Sequence, residues 1–146
     1  MDEWLRRHAL TADRKDTARS YVWSDEGGRV VAYFSLAPHW VTRSAAPAKL
    51  GRGSPDRIPS ILLARLALDR HFQGRPERYG SMLLVEALSI AIEVSRKGAG
   101  RLVVVDAIDA RAAGFYAHHG FTPSPDPNRL MMKVSDAAVS LGLPWP

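Results

Sequence analysis

The segment from Arg101 to Phe121, RLVVVDAIDARAAGFYAHHGF, constrains the fold of this chain more than any other stretch. The consecutive apolar residues of Leu102–Val105 predict a buried strand. Residues Ala110–His119 predict a short helix, which Gly120 ends. A buried strand therefore leads directly into a helix that carries Tyr116 next to a second aromatic residue. This pattern is typical of helices that alternate with the strands of a sheet.

The remainder of the chain alternates between helical and strand patterns. Arg19–Trp23 and Arg29–Leu36 are rich in Val, Tyr and Phe, and the polar and glycine residues between them predict an antiparallel hairpin. The polar, basic and Gly/Pro-rich residues 43–59 predict a long mobile loop. The other predicted elements are a surface helix over Asp2–Asp16, a strand over Ile61–Asp69 that is buried on both faces, a helix from Leu83 to near Gly98, and a last strand over Leu130–Val134.

The composition limits both the organisation and the chemistry. With 146 residues, 46% of them hydrophobic, the chain can bury one core, so we predict a single domain over residues 1–135 and a C-terminal tail over residues 136–146. The absence of cysteine excludes disulfides, thiolate metal sites and a cysteine nucleophile. No apolar run could span a bilayer and the N-terminus is not a signal peptide, so we predict a soluble, cytoplasmic protein. The net charge of +5 favours polyanionic ligands such as nucleic acid or a phosphorylated cofactor.

The order of these elements resembles the GCN5-related N-acetyltransferase (GNAT) family over most of the chain. The matching stretches are DEWLRRHAL, ARSYVWSDEGGRVVAYFSLA, RIPSILLARLALD, the glycine-containing turn before SMLL, and VVVDAIDARAAGFYAHHGF. More narrowly, the chain is similar to the GNAT-type toxins of bacterial toxin-antitoxin operons, which acetylate the amino acid carried by a charged tRNA. The resemblance implies an α/β (α+β) fold with a central mixed, mostly antiparallel sheet flanked by helices. Members normally have a first strand ahead of the WLRRHAL helix, and here we expect that strand to be missing.

The resemblance implies that acetyl-CoA is the cofactor and that it binds along residues 66–81. A strand, a tight turn and a helix N-terminus can hold a pyrophosphate through backbone N–H groups and the helix dipole, and arginine side chains add positive charge. The backbone of the strand would pair with the pantetheine arm. The implied cofactor-binding residues are Leu66, Ala67, Leu68, Gln73, Gly74, Arg75, Arg78, Tyr79, Gly80, Ser81 and Phe115.

The turn QGRPERYGS can be aligned with the family pattern in two ways. The usual turn reads glutamine or arginine, two residues, glycine, one residue, then glycine or alanine. If Gly80 is the final small residue, Arg75 takes the first position and Arg78 replaces the middle glycine. Alternatively, Gln73 and Gly74 begin the turn and two residues are inserted. Either alignment adds bulk where backbone should approach phosphate.

The same resemblance assigns catalysis to Tyr116 in the motif FYAHHGF. An amine attacks the thioester, and the leaving thiolate takes up a proton that a nearby phenol can donate. The reference pKa of an α-amine is about 7.7–8.0, so much of it is already neutral, whereas that of a lysine side chain is about 10.4. The small number of candidate bases therefore favours an aminoacyl ester as the acceptor. Taken alone, Tyr116 is better explained as a tyrosine that caps an edge of the core, and its position after VVVDA favours the catalytic role instead.

The basic residues predict a surface for the second substrate. A groove lined by arginine and lysine could bind tRNA phosphates and present the acceptor end to the catalytic tyrosine, although solvated surface charge explains the same residues. The candidate residues are Arg6 and Arg7 on the first predicted helix, and Arg43, Lys49, Arg52 and Arg57 on or beside the predicted loop. The resemblance also implies a ribbon-helix-helix antitoxin, encoded nearby, that covers this groove. A missing edge strand would expose backbone and could promote a homodimer.

Several polar residues of the most informative segment invite a metal assignment. Adjacent His118 and His119 on a helix point in different directions, and no acidic partner lies at ligand spacing, so we predict a helix-end role for them and no metal. Asp106 and Asp109 are interpreted as a strand-end residue and a helix cap.

Two alternatives to the toxin remain open at this point. One is a GNAT enzyme that acetylates a small amine or a protein N-terminus, whose activity would not respond to added RNA. The other is a degenerate GNAT domain that binds a partner without catalysis, which the irregular phosphate turn allows.

Overall fold

The computed structural model of the chain describes residues 18–98 and 100–145. The predicted helix over Asp2–Asp16 and the expected absence of a first strand lie outside these residues. The strands are β1 (Arg19–Ser24), β2 (Val30–Thr42), β3 (Arg57–Leu68), β4 (Leu102–Asp106), β5 (Thr122–Pro123) and β6 (Arg129–Lys133), and the helices are α1 (Ala48–Gly51), α2 (Tyr79–Lys97), α3 (Ala110–His118) and α4 (Val134–Leu141).

These six strands form one sheet in the order β1-β2-β3-β4-β6-β5. Strand β1 runs antiparallel to β2, and β6 runs antiparallel to both β4 and β5. The chain divides at residues 37/38, 62/63 and 87/88 into two compact units. Strands β2 and β3 and helix α2 each contribute residues to both units, which are described separately below.

The first unit begins with the predicted hairpin. The Asp25 carboxylate accepts hydrogen bonds from the backbone N–H groups of Gly27 and Arg29, both at 2.9 Å, which closes the turn. Gly28 follows with a φ of +81°, a conformation that glycine adopts without strain. Along the strands, the rings of Tyr21 and Phe34 stack with their centroids 5.0 Å apart. The turn therefore sets the register of β1 on β2, and the aromatic pair stabilises it.

The core of the second unit joins the sheet to the segment between β2 and β3. Leu50 of α1 is 3% exposed and Ile58 is fully buried, and both belong to one apolar cluster with Leu102, Val104 and Met131. The prediction of a long mobile loop over residues 43–59 was therefore wrong. The polar composition of this segment concealed two apolar residues that are buried by contacts distant in the sequence.

Two further boundaries differ from the sequence prediction. Helix α4 occupies the stretch where the C-terminal tail was expected to begin at residue 136, because Val134, Ala137 and Ala138 form a buried face. The helix ends at Gly142, whose φ of +66° provides a left-handed cap. In the other direction, β3 begins at Arg57, four residues earlier than predicted. Among the described residues, no helix is long and apolar enough to cross a membrane.

Candidate functional site

The C-terminal end of β3 is only partly buried. Ile61 and Leu63 are buried, but Ala64 and Arg65 are exposed and residues 66–68 are half-buried. The prediction that Ile61–Asp69 is a strand buried on both faces was therefore wrong for its second half. The three predicted pantetheine-binding residues lie in this accessible half of the strand.

Beyond β3, the first unit folds a compact turn around Asp69. The Asp69 carboxylate accepts hydrogen bonds from the backbone N–H of His71 at 2.9 Å and from its ring Nδ1 at 2.8 Å. The backbone hydrogen bond, then the side-chain hydrogen bond from His71, lower the pKa of Asp69 below its ordinary value. Arg29 adds an ion pair at 3.1 Å. Asp69 thus caps the short 3₁₀ turn of residues 70–72 and starts the loop toward α2.

Two of the predicted phosphate-binding side chains are engaged within this loop. Gln73 donates from Nε2 to the backbone carbonyl of Leu68 at 2.7 Å. Arg75 donates from Nε to the carbonyl of His71, and its guanidinium carbon lies 5.6 Å from the centroid of the Phe72 ring. These contacts hold the loop closed on itself. Arg75 nevertheless remains exposed.

Arg78 has a left-handed backbone conformation, which favours glycine over other residues. Its φ is +55°, and it is the only residue other than glycine with a positive φ in the described part of the chain. Helix α2 begins at the next residue, Tyr79, whose ring packs edge-on against Phe72 with centroids 5.5 Å apart. This favours the alignment in which Arg75 is the first position and Arg78 replaces the middle glycine. Gly80 and Ser81 then lie in the first turn of α2.

The left-handed conformation of Arg78 leads to a stability prediction. The left-handed conformation costs a residue with a Cβ about 1–2 kcal/mol and costs glycine almost nothing. We therefore expect Arg78→Gly to raise the free energy of unfolding by about 1 kcal/mol. Denaturant unfolding without ligand measures the change. Arg75→Gly is the matched control, and it should lower stability because it removes the contacts with His71 and Phe72. A loss of stability in Arg78→Gly would show that Arg78 does not adopt this conformation in solution.

The second unit contains the predicted catalytic tyrosine. Helix α3 is capped by Asp109, whose carboxylate accepts a hydrogen bond from the backbone N–H of Ala112 at 2.8 Å, which confirms the interpretation of Asp109 as a helix cap. The helix ends where Gly120 takes a φ of +96°. Because a Cβ on Gly120 would lie 3.0 Å from the Met132 side chain, the chain turns back tightly over β6. Tyr116 is thereby fixed two turns into a short, capped helix.

Tyr116 is held in a group of aromatic rings. Its ring lies edge-on to Phe115 and Phe121, with centroid distances of 5.4 and 5.5 Å. Only 8% of the residue is exposed, and this burial raises the pKa of Tyr116 to about 12. The phenol is therefore fully protonated at neutral pH and can act as a hydrogen-bond or proton donor.

A polar network that the sequence did not predict crosses one part of the second unit. The guanidinium of Arg129 forms two parallel hydrogen bonds to the carboxylate of Asp106, at 2.7 and 2.8 Å. A third guanidinium nitrogen lies 3.1 Å from Nε2 of His39. Arginine only donates, so Nε2 of His39 must accept, and its ring carries the proton on Nδ1. Burial, and next the Arg129 charge, lower the pKa of His39.

The network fixes the end of β4. Asp106 is the last residue of β4 and pairs in register with Arg129, the first residue of β6, which confirms the strand-end interpretation of Asp106. The hydrogen bonds from Arg129 lower the pKa of Asp106. Neutral His39 cannot serve as a general base through Nε2 while that nitrogen accepts from Arg129. The one available signal in the sequence was a pair of opposite charges at the ends of two neighbouring strands.

The predicted basic residues fall into two groups. Arg6 and Arg7 lie outside the described residues. Arg43 pairs with Asp56 at 2.8 Å, and the guanidinium carbon of Arg57 lies 4.9 Å from the Trp40 ring. Lys49 of α1 and Arg52 at its end are exposed in the same unit. Four of the predicted cations thus belong to one compact unit, and two of them have partners within it.

The histidines near Tyr116 take part in ring contacts. His119 lies edge-on to Phe115 with centroids 4.8 Å apart, and the rings of His118 and His119 are 5.2 Å apart. Within residues 18–98 and 100–145, no group of three His, Asp or Glu side chains is arranged to hold a metal ion. Their contacts are those of a helix end, as the sequence predicted.

Comparisons with known proteins identify similar chains across nearly the whole length. The model of the acetyltransferase (GNAT) family matches residues 1–121. The tRNA-acetylating toxin of Mycobacterium tuberculosis (strain ATCC 25618 / H37Rv) is 37% identical over 143 residues, which cover 97% of this chain and 84% of that protein.

Two solved structures extend the comparison. AtaT complexed with acetyl-methionyl-tRNAfMet is 25% identical with a TM-score of 0.84, and the match covers 96% of this chain and 85% of that one. A tyrosine-to-phenylalanine mutant of the AtaT toxin, bound to the C-terminus of the antitoxin AtaR and acetyl-CoA, is 23% identical with a TM-score of 0.78 and covers 96% and 82% of the two chains. The six-stranded sheet and its helices are therefore those of a known fold.

Proposed function

Because this chain belongs to the acetyltransferase (GNAT) family, we propose that it transfers an acetyl group from acetyl-CoA to the α-amine of an aminoacyl-tRNA. Such a protein would act as the toxin of a type II toxin-antitoxin system, since an acetylated aminoacyl-tRNA blocks translation. The observation that carries the proposal is the 37% identity to a tRNA-acetylating toxin over 97% of this chain. The GNAT fold, with its mixed six-stranded sheet, supports the same conclusion.

The residues of the first unit fit acetyl-CoA. Gly74 has a φ of +67° and an added Cβ would meet nothing within 4 Å, so the turn presents open backbone. The first turn of α2, which includes Gly80, places the positive end of the helix dipole at the turn, and Arg75 and Arg78 supply positive charge for a diphosphate. When bound, acetyl-CoA supplies the acetyl group as an activated thioester. The carbonyl of Leu68 is already engaged by Gln73, which limits the backbone available for the pantetheine arm.

Tyr116 would provide the proton for the leaving group. Its hydroxyl holds a proton well above neutral pH because burial raises the pKa of Tyr116 to about 12. The rings of Phe115 and Phe121 restrict the phenol to one orientation. The same apolar surroundings exclude water from the donor and strengthen its hydrogen bonds. We assign Tyr116 the role of general acid and Phe115 that of an apolar wall.

The ionisation of Tyr116 predicts the shape of the pH profile. The protonated phenol is the active form. Because the pKa of Tyr116 is about 12, the phenol stays almost fully protonated at neutral and mildly basic pH. The acceptor amine is active when neutral, with a pKa of about 7.7–8.0. We therefore expect kcat/KM to rise with pH through that range and to reach a plateau between pH about 8.5 and 9.5. Initial rates on freshly charged tRNA measure the profile, and a decline above pH about 8.5 would argue against Tyr116 as the acid.

The substrate class is tested by acetyl transfer from labelled acetyl-CoA. We expect label on the aminoacyl group when the purified protein is incubated with a pool of charged tRNA, and none with the same pool after the aminoacyl ester has been hydrolysed. Polyamines, free amino acids and a peptide with a free N-terminus serve as competing acceptors. Label on these alone would favour a small-amine or peptide acetyltransferase. Absence of acetyl-CoA binding would favour a non-catalytic GNAT domain.

The same proposal assigns a protein partner and a compartment. We propose that an antitoxin encoded nearby, of the ribbon-helix-helix type, binds this protein, as AtaR binds AtaT. We also propose a homodimer, and a cytoplasmic location because charged tRNA is consumed there. Co-expression with the neighbouring reading frame, followed by size-exclusion chromatography, tests the complex. Toxicity that this neighbour does not relieve would contradict the pairing.

A further inference from the structure

A cleft of about 420 Å³ in the second unit combines positive charge with an indole ring. Arg101 and Lys133 line it together with Ser135 and Trp145, and the rings of Pro55 and Pro59 complete the wall. Trp145 is half-buried there. Trp145 is therefore in contact with the body of the second unit. None of these residues takes part in the chemistry assigned to Tyr116.

The two cations of this cleft are attached to well-paired backbone. The N–H of Arg101 donates to the carbonyl of Pro59 at 2.7 Å, and the carbonyl of Arg101 accepts from Val134 at 2.9 Å. Lys133 pairs in register with Leu102, the residue that follows Arg101. Their Cα positions are therefore set by the sheet before any ligand arrives, which lowers the entropic cost of binding.

The position of Trp145 is also restrained. Helix α4 ends at Gly142, and the backbone N–H of Leu143 returns to the carbonyl of Ala138 at 2.9 Å. Gly100 also lines the cleft, and a Cβ at this position would lie 2.5 Å from the Ser95 hydroxyl. The indole therefore follows a closed helix cap, and the Gly100 position of the cleft has no space for a larger residue.

A second shallow depression is lined in part by the residues that follow Pro55 in the sequence. Pro55 lines the cleft, and the next two residues, Asp56 and Arg57, line a depression of about 400 Å³ with Thr42, Arg43 and Ser44. Arg57 lies over the ring of Trp40, which is 56% exposed. We refer to the residues that line the two depressions, together with Trp40, as the basic-aromatic strip.

The charge of the strip is mostly positive. Two acidic residues lie on or beside it: Asp56, which pairs with Arg43, and Asp136, which follows Ser135. The cations on or beside it are Arg43, Arg52, Arg57, Arg101 and Lys133. Cations interleaved with exposed aromatic rings are typical of surfaces that bind single-stranded nucleic acid, since bases stack on the rings and phosphates pair with the cations.

We propose that the cleft binds one nucleotide of a single-stranded segment of the RNA substrate, with its base stacked on Trp145 and its phosphate held by Arg101 and Lys133. This assignment rests on the proposed function, because it takes the acceptor to be an RNA. The cleft brings two proline rings and an indole next to two cations, a combination that suits a nucleobase joined to a phosphate better than a phosphorylated peptide or an anionic lipid headgroup. The Ser135 hydroxyl adds a hydrogen-bonding group for the sugar or the phosphate.

The test measures binding and kinetics on four variants of the full chain. A short fluorescein-labelled single-stranded RNA reports binding, and charged tRNA reports kcat and KM. We expect Trp145→Ala to weaken RNA binding and raise KM by about 5- to 150-fold, with kcat unchanged, and Trp145→Phe to retain most of the affinity. Arg101→Gln should lower the slope of log Kd against log salt by about 0.7, whereas Arg96→Gln, at the exposed end of α2, should affect binding much less.

The possible results distinguish a failure of the cleft assignment from a failure of the proposed function. Acetylation of charged tRNA with an unchanged KM and RNA affinity in Trp145→Ala would overturn the cleft assignment and leave the function in place. Loss of affinity in Arg101→Gln but not in Trp145→Ala would reduce the cleft to a simple anion site and also overturn it. If the wild-type protein binds the RNA through Trp145 but transfers no acetyl group to charged tRNA, the proposed function fails and the cleft stands. Thermal unfolding of each variant, together with RNA binding by Trp145→Phe, shows whether a loss of affinity results from a folding defect.

Discussion

Replacing Tyr116 with phenylalanine is expected to reduce kcat for acetyl transfer by about 10²–10⁴-fold, the usual contribution of a positioned general acid. The substitution removes one hydroxyl and keeps the ring that contacts Phe115 and Phe121, so the aromatic group should remain packed. Binding of acetyl-CoA should change little, because the candidate phosphate-binding groups are backbone N–H groups and arginines of residues 73–81 and do not include this hydroxyl. The measurement is initial-rate transfer of labelled acetyl to charged tRNA at saturating acetyl-CoA.

Tyr21→Phe is the matched control for this experiment. It removes the same hydroxyl from a ring that stacks on Phe34, in the hairpin of the first unit, and should leave kcat within about twofold of wild type. A Tyr116→Phe variant that is as active as Tyr21→Phe would show that another group, or water, protonates the leaving thiolate. A Tyr116→Phe variant that binds no acetyl-CoA would instead indicate a structural role for the hydroxyl.

Replacing Ile58 with alanine is expected to lower the free energy of unfolding by about 2–5 kcal/mol. Ile58 is fully buried against Leu102, Val104 and Met131, so the substitution loses apolar contacts and leaves a cavity. The effect is large because Ile58 connects the segment before β3 to the centre of the sheet. Chemical denaturation monitored by circular dichroism provides the measurement.

Ile108→Ala makes the same chemical change at a residue that is 90% exposed. It should alter the free energy of unfolding by no more than about 0.5 kcal/mol, because no buried contact is lost. Because both substitutions remove the same side-chain atoms, the difference between their effects on the free energy of unfolding measures the contribution of burial. Equal effects at the two positions would mean that Ile58 is not part of the core.

The elements with strong apolar patterns were predictable from the sequence. Leu102–Val105, the helix that follows and the hairpin at Arg19 lie where their periodicity and turn residues indicate. Helix α4 was missed because its buried face consists of Val134 and two alanines, which produce a weak pattern over only eight residues. The segment of residues 43–59 was misjudged because glycine and proline dominate its composition, while tertiary contacts decide the burial of Leu50 and Ile58.

The candidate site was predictable in part. The helix that carries Tyr116 and the turn before α2 are local features, and they lie in the predicted places. The strained backbone of Arg78 could be suspected only from the family pattern, since no local rule predicts an arginine at positive φ. The contact between His39 and Arg129 joins residues that are 90 positions apart, so only the folded chain reveals it.

The division of the chain into two units has a consequence for how such a protein can change over evolutionary time. Each unit is assembled from two separate stretches of the gene, with boundaries at residues 37/38, 62/63 and 87/88. A single recombination crossover therefore cannot exchange one unit alone, because a crossover that replaces one unit whole also replaces one stretch of the other. The candidate cofactor-binding residues 66–81 and the candidate acceptor-binding residues 43–57 would then be inherited largely together, and we expect acceptor choice to diverge through point substitutions rather than through shuffled halves.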